Sequence, residues 1–282
     1  MSVSAGFDAR RFKAMERAGF NRIAARYAEG AHLRADLAAA LLDAAELAPG
    51  QHVLDLASGP GLLARDAAAR VTPGGWVLAS DIAEGMLAEG ARRAAVEDRT
   101  EALAFTAADA EHLCLPDASF DRVLAGLALF MSPHPPLALA EMRRVLRPGG
   151  RIALSVWGPR EAVPLLACAQ DCIARLLPPP KVARPSVFRF GDAATLTAAL
   201  TEAGFSDVRI APCPFRCHFP DADSYWQAFL DLAGGAAEAL SRLPGATQDA
   251  LRAAVAADLE SHRSADGGYA VDALALVASA RA

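Results

Sequence analysis

Val53-Leu54-Asp55-Leu56-Ala57-Ser58-Gly59-Pro60-Gly61 is the stretch that decides the fold. A short run of strand character passes into a loop whose positions 57, 59 and 61 are all small. Small residues at that spacing let the backbone turn tightly and approach a ligand closely. A helical pattern follows near 60–70, and its first N–H groups fall at the carboxyl end of the strand. Read alone, the loop is ambiguous. It can be a plain strand-to-helix turn, and Gly59-x-Gly61-x-x-Ala64, with Asp81 twenty residues beyond Gly61, also fits a nicotinamide-dinucleotide fingerprint.

Outward from this loop, short apolar runs alternate with helical patterns. The strands expected are His52–Leu56, Gly75–Ser80, Ala102–Ala107, Asp121–Gly126, Arg151–Val156, Asp207–Ile210 and a terminal Ala273–Ser279. Helical spacing falls at 60–70, 83–97, 134–146 and 193–203, with Asp192 as an N-cap and Gly204 as a stop. Such alternation predicts an α/β fold, a doubly wound and mostly parallel seven-stranded sheet with helices on both faces. Residues 8–47 read as helix. Two interruptions stand out: the proline-rich 158–190, and 212–267, which reads as largely helical with Trp226, Phe229 and Leu230 on one face. Asp223 is the expected N-cap of that helix. The organisation expected is an N-terminal helical cover (1–48), a core (49–211 and 268–282) and an inserted helical lid (212–267).

Composition excludes several classes. The net charge of −5 argues against a chain built to grip phosphate backbones, so no nucleic acid is expected as partner. The longest apolar run, Val123–Met131, is far short of the ~20 residues that cross a bilayer. Asp8, Arg10, Arg11 and Lys13 stand where a signal peptide would need its apolar segment, and a cytoplasmic location is expected. Five cysteines without a C-x-x-C pair predict neither a disulfide framework nor a metal site. Among 28 basic residues only Lys13 and Lys181 are lysines, so an isolated arginine is no evidence of a site.

Three successive strand ends carry complementary chemistry. The first offers the close-approach loop. The second ends in Asp81, whose carboxylate can accept both hydroxyls of a ribose, with Ile82 and Met86 beside it to flank a flat base. Asp81 can equally cap the helix that follows. The third leads into Asp109-Ala110-Glu111, where a carboxylate can accept from an exocyclic amine. Together they describe an adenosine-bearing ligand.

With these residues in place, the chain resembles class I S-adenosylmethionine-dependent methyltransferases of the ubiquinone/menaquinone-biosynthesis type. The resemblance rests on Val53–Gly61, Ser80–Met86, Asp109–Glu111, Phe120-Asp121-Arg122-Val123, Ala203-Gly204-Phe205 and the run Glu141–Gly150. Within that last run, Leu146-Arg147-Pro148-Gly149-Gly150 is the most specific piece. The resemblance implies a Rossmann-like methyltransferase fold, S-adenosyl-L-methionine as cofactor and S-adenosyl-L-homocysteine as product. It implies that Ala57, Ser58 and Gly59 face the methionine portion, that Gly61 allows the loop to fold, and that Asp55 belongs to the same cofactor-binding set. Asp81 would hold the ribose, Ile82 and Met86 would flank adenine, and Asp109 with Ala110 would meet the adenine amine. Gly126 and Leu127 would line the passage to the methyl group, and Tyr27 would close over the methionine end. Ala57 stands where many members have Gly, and Pro60 where Thr is commoner.

The fold does not give the acceptor. A small organic molecule is expected, and no catalytic residue is assigned. His134, His112 and His218 are candidate bases, while Phe130, Met131, Trp157, Tyr225 and Trp226 are candidate pocket walls that can equally be core. The end of the fourth strand, Ala125-Gly126-Leu127-Ala128, lacks the Asn/Asp-Pro-Pro-aromatic element of nucleobase amine methylases. The lid is expected to lay Trp226, Phe229 and Leu230 over the acceptor, helped by Phe188 or Phe190. A non-catalytic S-adenosylmethionine-binding sensor or structural protein is the alternative.

Overall fold

Val53, Leu54 and Leu56 are fully buried because their strand, β1 (His52–Leu56), is paired on both sides. The computed structural model describes residues 7–97, 101–180, 182–265 and 267–282. The first six residues of the expected N-terminal cover lie outside them. Two helices open the chain, α1 (Ala9–Glu29) and α2 (Ala35–Ala44), separated by a 3₁₀ turn over Gly30–Arg34. The helix expected over 8–47 is therefore broken at Gly30.

After β1 come α3 (Leu62–Val71), β2 (Trp76–Asp81), α4 (Glu84–Val96), β3 (Leu103–Ala107), β4 (Phe120–Gly126), α5 (Pro135–Val145) and β5 (Leu146–Trp157). The remainder is α6 (Pro164–Leu176), α7 (Ala193–Glu202), β6 (Ser206–Phe219), α8 (Ala222–Leu232), α9 (Gly235–Ser241), α10 (Gly245–Leu259) and β7 (Tyr269–Arg281). The seven strands form one sheet in the order β3-β2-β1-β4-β5-β7-β6, and β7 alone runs opposite to the other six. Because the order reverses direction at β1, right-handed crossovers put α3 and α4 on one face and α5 on the other. The reversal opens a crevice outside the carboxyl ends of β1 and β4.

Three strands differ from expectation. β5 begins at Leu146, which pairs with Phe120 before the Arg147–Gly150 turn shifts the register. β6 continues through Pro212 and Pro214 to Phe219. It can do so because it is the edge strand, where a missing N–H costs no ladder bond. Phe215, Cys217 and Phe219 are buried in alternation with exposed Arg216 and His218, so residues 212–219 extend the sheet and the helical part of the insertion starts at Ala222. β7 likewise starts at Tyr269, ahead of the expected Ala273. The outer halves of β6 and β7 thus pair with each other as a ribbon running past the end of β5, and α8 to α10 hang from its tip.

Local chemistry sets the remaining boundaries. Asp192 caps α7 by accepting from the Thr195 N–H at 2.8 Å, and Gly204 follows at φ +85°. The cap of α8 is Asp221, not Asp223. Asp221 has extended backbone and accepts from the Ser224 N–H at 2.7 Å, whereas Asp223 lies one residue inside the first turn. α1 packs against α4 and α9. Gly19 permits the second contact, since a Cβ there would stand 2.3 Å from the Gly235 nitrogen.

Candidate active site

Exposure returns at the carboxyl ends of the strands. Ala57, Ser58, Gly59, Asp81, Ile82, Asp109, Ala110, Gly126 and Leu127 are all at least partly accessible along this one edge. Two non-glycine residues there are held in the left-handed region, Ala57 at φ 51° after β1 and Leu127 at φ 51° after β4. Each costs about 1–2 kcal/mol, and such strain gathers where function fixes the backbone. The Leu127 N–H is held by both the carbonyl and the hydroxyl of Ser155, each at 3.0 Å.

The β1 loop is tied to β2. The Asp81 carboxylate accepts from the Gly59 N–H through one oxygen and the Ala83 N–H through the other, both at 2.8 Å. Asp81 therefore braces the loop and the start of α4 at once, and each oxygen keeps acceptor capacity for a ligand hydroxyl. Gly59 at φ +56° is open on the crevice side. A Cβ there would meet only the edge of Tyr27, at 3.5 Å. Gly61, at φ +67°, is close-packed, with Phe105 2.8 Å from the site of its missing Cβ.

Asp55 lies beneath this loop and is 1% exposed. Both of its carboxylate oxygens are buried without a hydrogen-bond partner among the described residues. Burial, reinforced by the Asp81 charge, pushes its pKa up to about 8, and the Ala64 N–H, which approaches without completing a hydrogen bond, offsets this only in part. Buried oxygens of this kind call for a donor or a cation that the fold does not itself supply. The ammonium of an amino-acid moiety has that chemistry, so the donor set fits an amino-acid-bearing nucleoside such as S-adenosylmethionine.

The third strand end holds a pairing that the sequence did not disclose. Lys13 on α1 reaches Asp109 at 2.6 Å and Glu111 at 2.7 Å. Burial alone would lower the lysine pKa, but bonding and charge from the two carboxylates outweigh it and raise it. Glu111 is 3% exposed, yet Lys13, the Ser132 hydroxyl and the N–H of His134 hold its pKa down to about 2. The His134 ring lies 3.1 Å from Glu111, which ties this candidate base into a structural cluster. Met86 is 1% exposed and packs with Ile23, Ala24 and Ala83 under α1, leaving half-buried Ile82 nearer the crevice.

Tyr27 touches two regions. Its ring edge stands at Gly59, and its side chain also lines a cavity of about 740 Å³ bounded by the Gly30–Arg34 turn, the end of β6 and α8. Trp226 and His218 reach this cavity, whereas Phe188 and Phe190 do not. Phe188 stacks under Arg160, and Phe190 under Arg189. Phe130, Trp157 and Tyr225 are core, the last anchored by donating to the Leu165 carbonyl at 3.0 Å. Among the described residues no group of His, Cys, Asp and Glu could hold a metal ion, and no helix is long and apolar enough to cross a membrane.

This topology, with β7 inserted antiparallel and a glycine-bearing loop braced by an acidic residue of the next strand, is that of the class I methyltransferase fold. Residues 53–150 match the methyltransferase domain family. A ubiquinone/menaquinone biosynthesis C-methyltransferase of Paracoccus denitrificans is 35% identical over 177 residues, which cover 58% of this chain and 70% of that protein. Its counterpart in Bordetella avium is 45% identical over 108 residues, covering 38% of this chain and 41% of that one. The YcgJ protein from Bacillus subtilis superposes with a TM-score of 0.58 at 18% identity, covering 86% of this chain and 97% of that one. The chain belongs to the S-adenosylmethionine-dependent methyltransferase family of the ubiquinone/menaquinone-biosynthesis type. It spans 41% and 49% of the length of the first curated relatives it matches.

Proposed function

We propose that this protein transfers a methyl group from S-adenosylmethionine to a small organic acceptor. The buried, unpartnered Asp55 carboxylate under a loop braced by Asp81 carries the reading, because it asks for a cationic ligand. In this reading Asp55 answers the cofactor's ammonium, and Ala57, Ser58 and Gly59 face the methionine portion, with Gly61 packed behind against Phe105 so that the loop can fold. Asp81 holds the ribose hydroxyls, and Ile82, Asp109 and Ala110 meet adenine, with Met86 behind them. Gly126 and Leu127 line the exit toward the acceptor, and Tyr27 closes the methionine end.

The bound cofactor supplies an electrophilic methyl on a sulfonium. The protein's part is then orientation and exclusion of water, which can supply most of the acceleration for an in-line displacement. Of the described residues, 7–48 act as a cover and α8 to α10, beyond the β6 extension, as a lid, a reading supported by α1 and α8 both bounding the cavity beside Tyr27. Five free cysteines suit a reducing compartment, and we place the reaction in the cytoplasm.

Calorimetry with S-adenosylhomocysteine, followed by transfer of labelled methyl to an acceptor library, tests the proposal. Binding with turnover is the expected result. Binding without turnover on any acceptor would favour a sensor, and absence of binding would remove the reading.

A further inference from the structure

We propose that Arg34 is the anion-binding residue of the acceptor site, so that the acceptor carries a carboxylate on an apolar body. This rests on the methyltransferase reading above and names the class of substrate that such an enzyme would take. Arg34 lines the cavity of about 740 Å³ beside Tyr27, together with the apolar Leu33, Phe219 and Trp226. Its Nη1 is buried and has no hydrogen-bond partner among the described residues. The guanidinium carbon stands 4.6 Å from the centre of the Tyr27 ring, the same ring whose edge meets the Gly59 loop.

The other charges of the cavity are already spoken for or lie at its rim. Arg26 pairs with Asp231 at 2.9 Å, and Asp221 is engaged as the cap of α8. Glu29, Asp223 and Arg252 are exposed. What remains inside is a planar, permanently charged fork with a buried N–H to satisfy, set among apolar walls. A carboxylate matches that fork in shape and charge, and a half-buried guanidinium with an unmet N–H gains more from it than from any neutral acceptor. Tyr27 then stands between the two ligands, with the cofactor loop at its edge and the anion site against its ring. An acceptor held by its carboxylate at Arg34 would lie along Leu33 and Trp226.

A carboxylate at Arg34 has two sources, the acceptor and the methionine portion of the cofactor, and the experiment separates them. Phenyl-substituted alkanoates of two to five carbons and their amides, which keep the shape and lose the charge, are titrated into protein saturated with S-adenosylhomocysteine. Wild-type protein is expected to bind the best acid at least tenfold more tightly than its amide. In Arg34→Met the preference should fall below threefold, with Arg34→Lys in between. No acid preference anywhere in the series, or a preference that survives in Arg34→Met, overturns the proposal. Where Arg34→Met fails to fold, Arg34→Lys carries the comparison, and absence of an acid preference in wild type alone overturns the proposal. A second arm compares S-adenosylhomocysteine with 5′-methylthioadenosine, which lacks the amino-acid carboxylate. Their affinity ratio should be the same, within threefold, in wild type and Arg34→Met. A tenfold loss confined to S-adenosylhomocysteine would assign Arg34 to the cofactor and overturn the acceptor site. Failure of wild-type protein to bind S-adenosylhomocysteine at all, measured first, would overturn the methyltransferase reading itself.

Discussion

The strand-edge half of the site and the helical half are built in opposite ways. Along β1, β2 and β3 each functional group stands within a few residues of a strand end, and parallel pairing fixes the spacing between ends. Gly59, Asp81 and Asp109 are aligned by the register Leu54↔Leu78 and Asp81↔Ala107. In the helical half, Tyr27, Arg34, His218 and Trp226 come from a helix, a 3₁₀ turn, an edge strand and an insertion. They meet only because α1, the β6 ribbon and α8 bound one cavity. The first half is a property of the sheet, and the second is a property of packing. Substitutions in the first should therefore act on the cofactor, and substitutions in the second on the acceptor.

The strongest way to break this contrast is Gly59→Val. It puts a β-branched side chain at φ +56° and fills the open space in front of Tyr27. S-adenosylhomocysteine affinity should fall more than about a hundredfold, roughly 3 kcal/mol by calorimetry, in a protein that still folds. Normal affinity would mean that the β1 loop is not the cofactor's cradle. Asp81→Ala comes next. It removes the proposed ribose acceptor together with the brace on the Gly59 N–H, and should cost about 1.5–3 kcal/mol of cofactor affinity, the usual worth of hydrogen bonds to a charged group.

A smaller and more diagnostic effect follows from Asp55. Its carboxyl is raised to about 8 in the folded protein, so the protonated form is favoured there. For the free protein this is stabilisation that is fully present below the ordinary carboxylate pKa and lost as pH rises toward 8. A cation bound beside Asp55 favours the ionised form, so binding should release a proton at neutral pH. Affinity for S-adenosylhomocysteine should rise about fivefold between pH 7 and pH 8, and the rise should vanish in Asp55→Asn. An unchanged pH slope in that variant would show that no cation approaches this carboxylate.

The same contrast explains what the sequence disclosed. β1 through β5, the Gly59 loop and Asp81 were legible because each is local: an apolar run, a turn of small residues, an acid at the strand's end. The strand expected over Asp207–Ile210 is shorter than β6, which runs on through Pro212 and Pro214 because its edge position makes them harmless. The signal that could have rescued it is the alternation of Phe215, Cys217 and Phe219 with Arg216 and His218. Asp223 and Asp221 are both acceptable caps by residue type, and backbone conformation chose the latter. Lys13 and Arg34 carried no local signal. Lys13 gains its meaning from carboxylates 96 and 98 residues away. Arg34 is one of 26 arginines, marked only by a buried N–H that no described residue satisfies.

The smallest expected effect gives the sharpest test of the division. Trp226 is 6% exposed, lines the cavity with Tyr27 and stacks on Phe229 at 5.7 Å and 18°. Truncation to Ala would remove so much buried surface that about 3–5 kcal/mol of stability would be at risk. Trp226→Phe keeps an aromatic ring against Phe229 while drawing the wall back from the cavity. If the helical half belongs to the acceptor, S-adenosylhomocysteine affinity in this variant should stay within about threefold of wild type, roughly 0.65 kcal/mol. Affinity for the best phenylalkanoate should change by more than that. Lower thermal stability with both affinities unchanged would instead place Trp226 in the core that joins α8 to the ribbon. A loss of cofactor affinity as large as that of Asp81→Ala would erase the distinction between the two halves, because a residue of the insertion would then be governing a ligand held by strand ends.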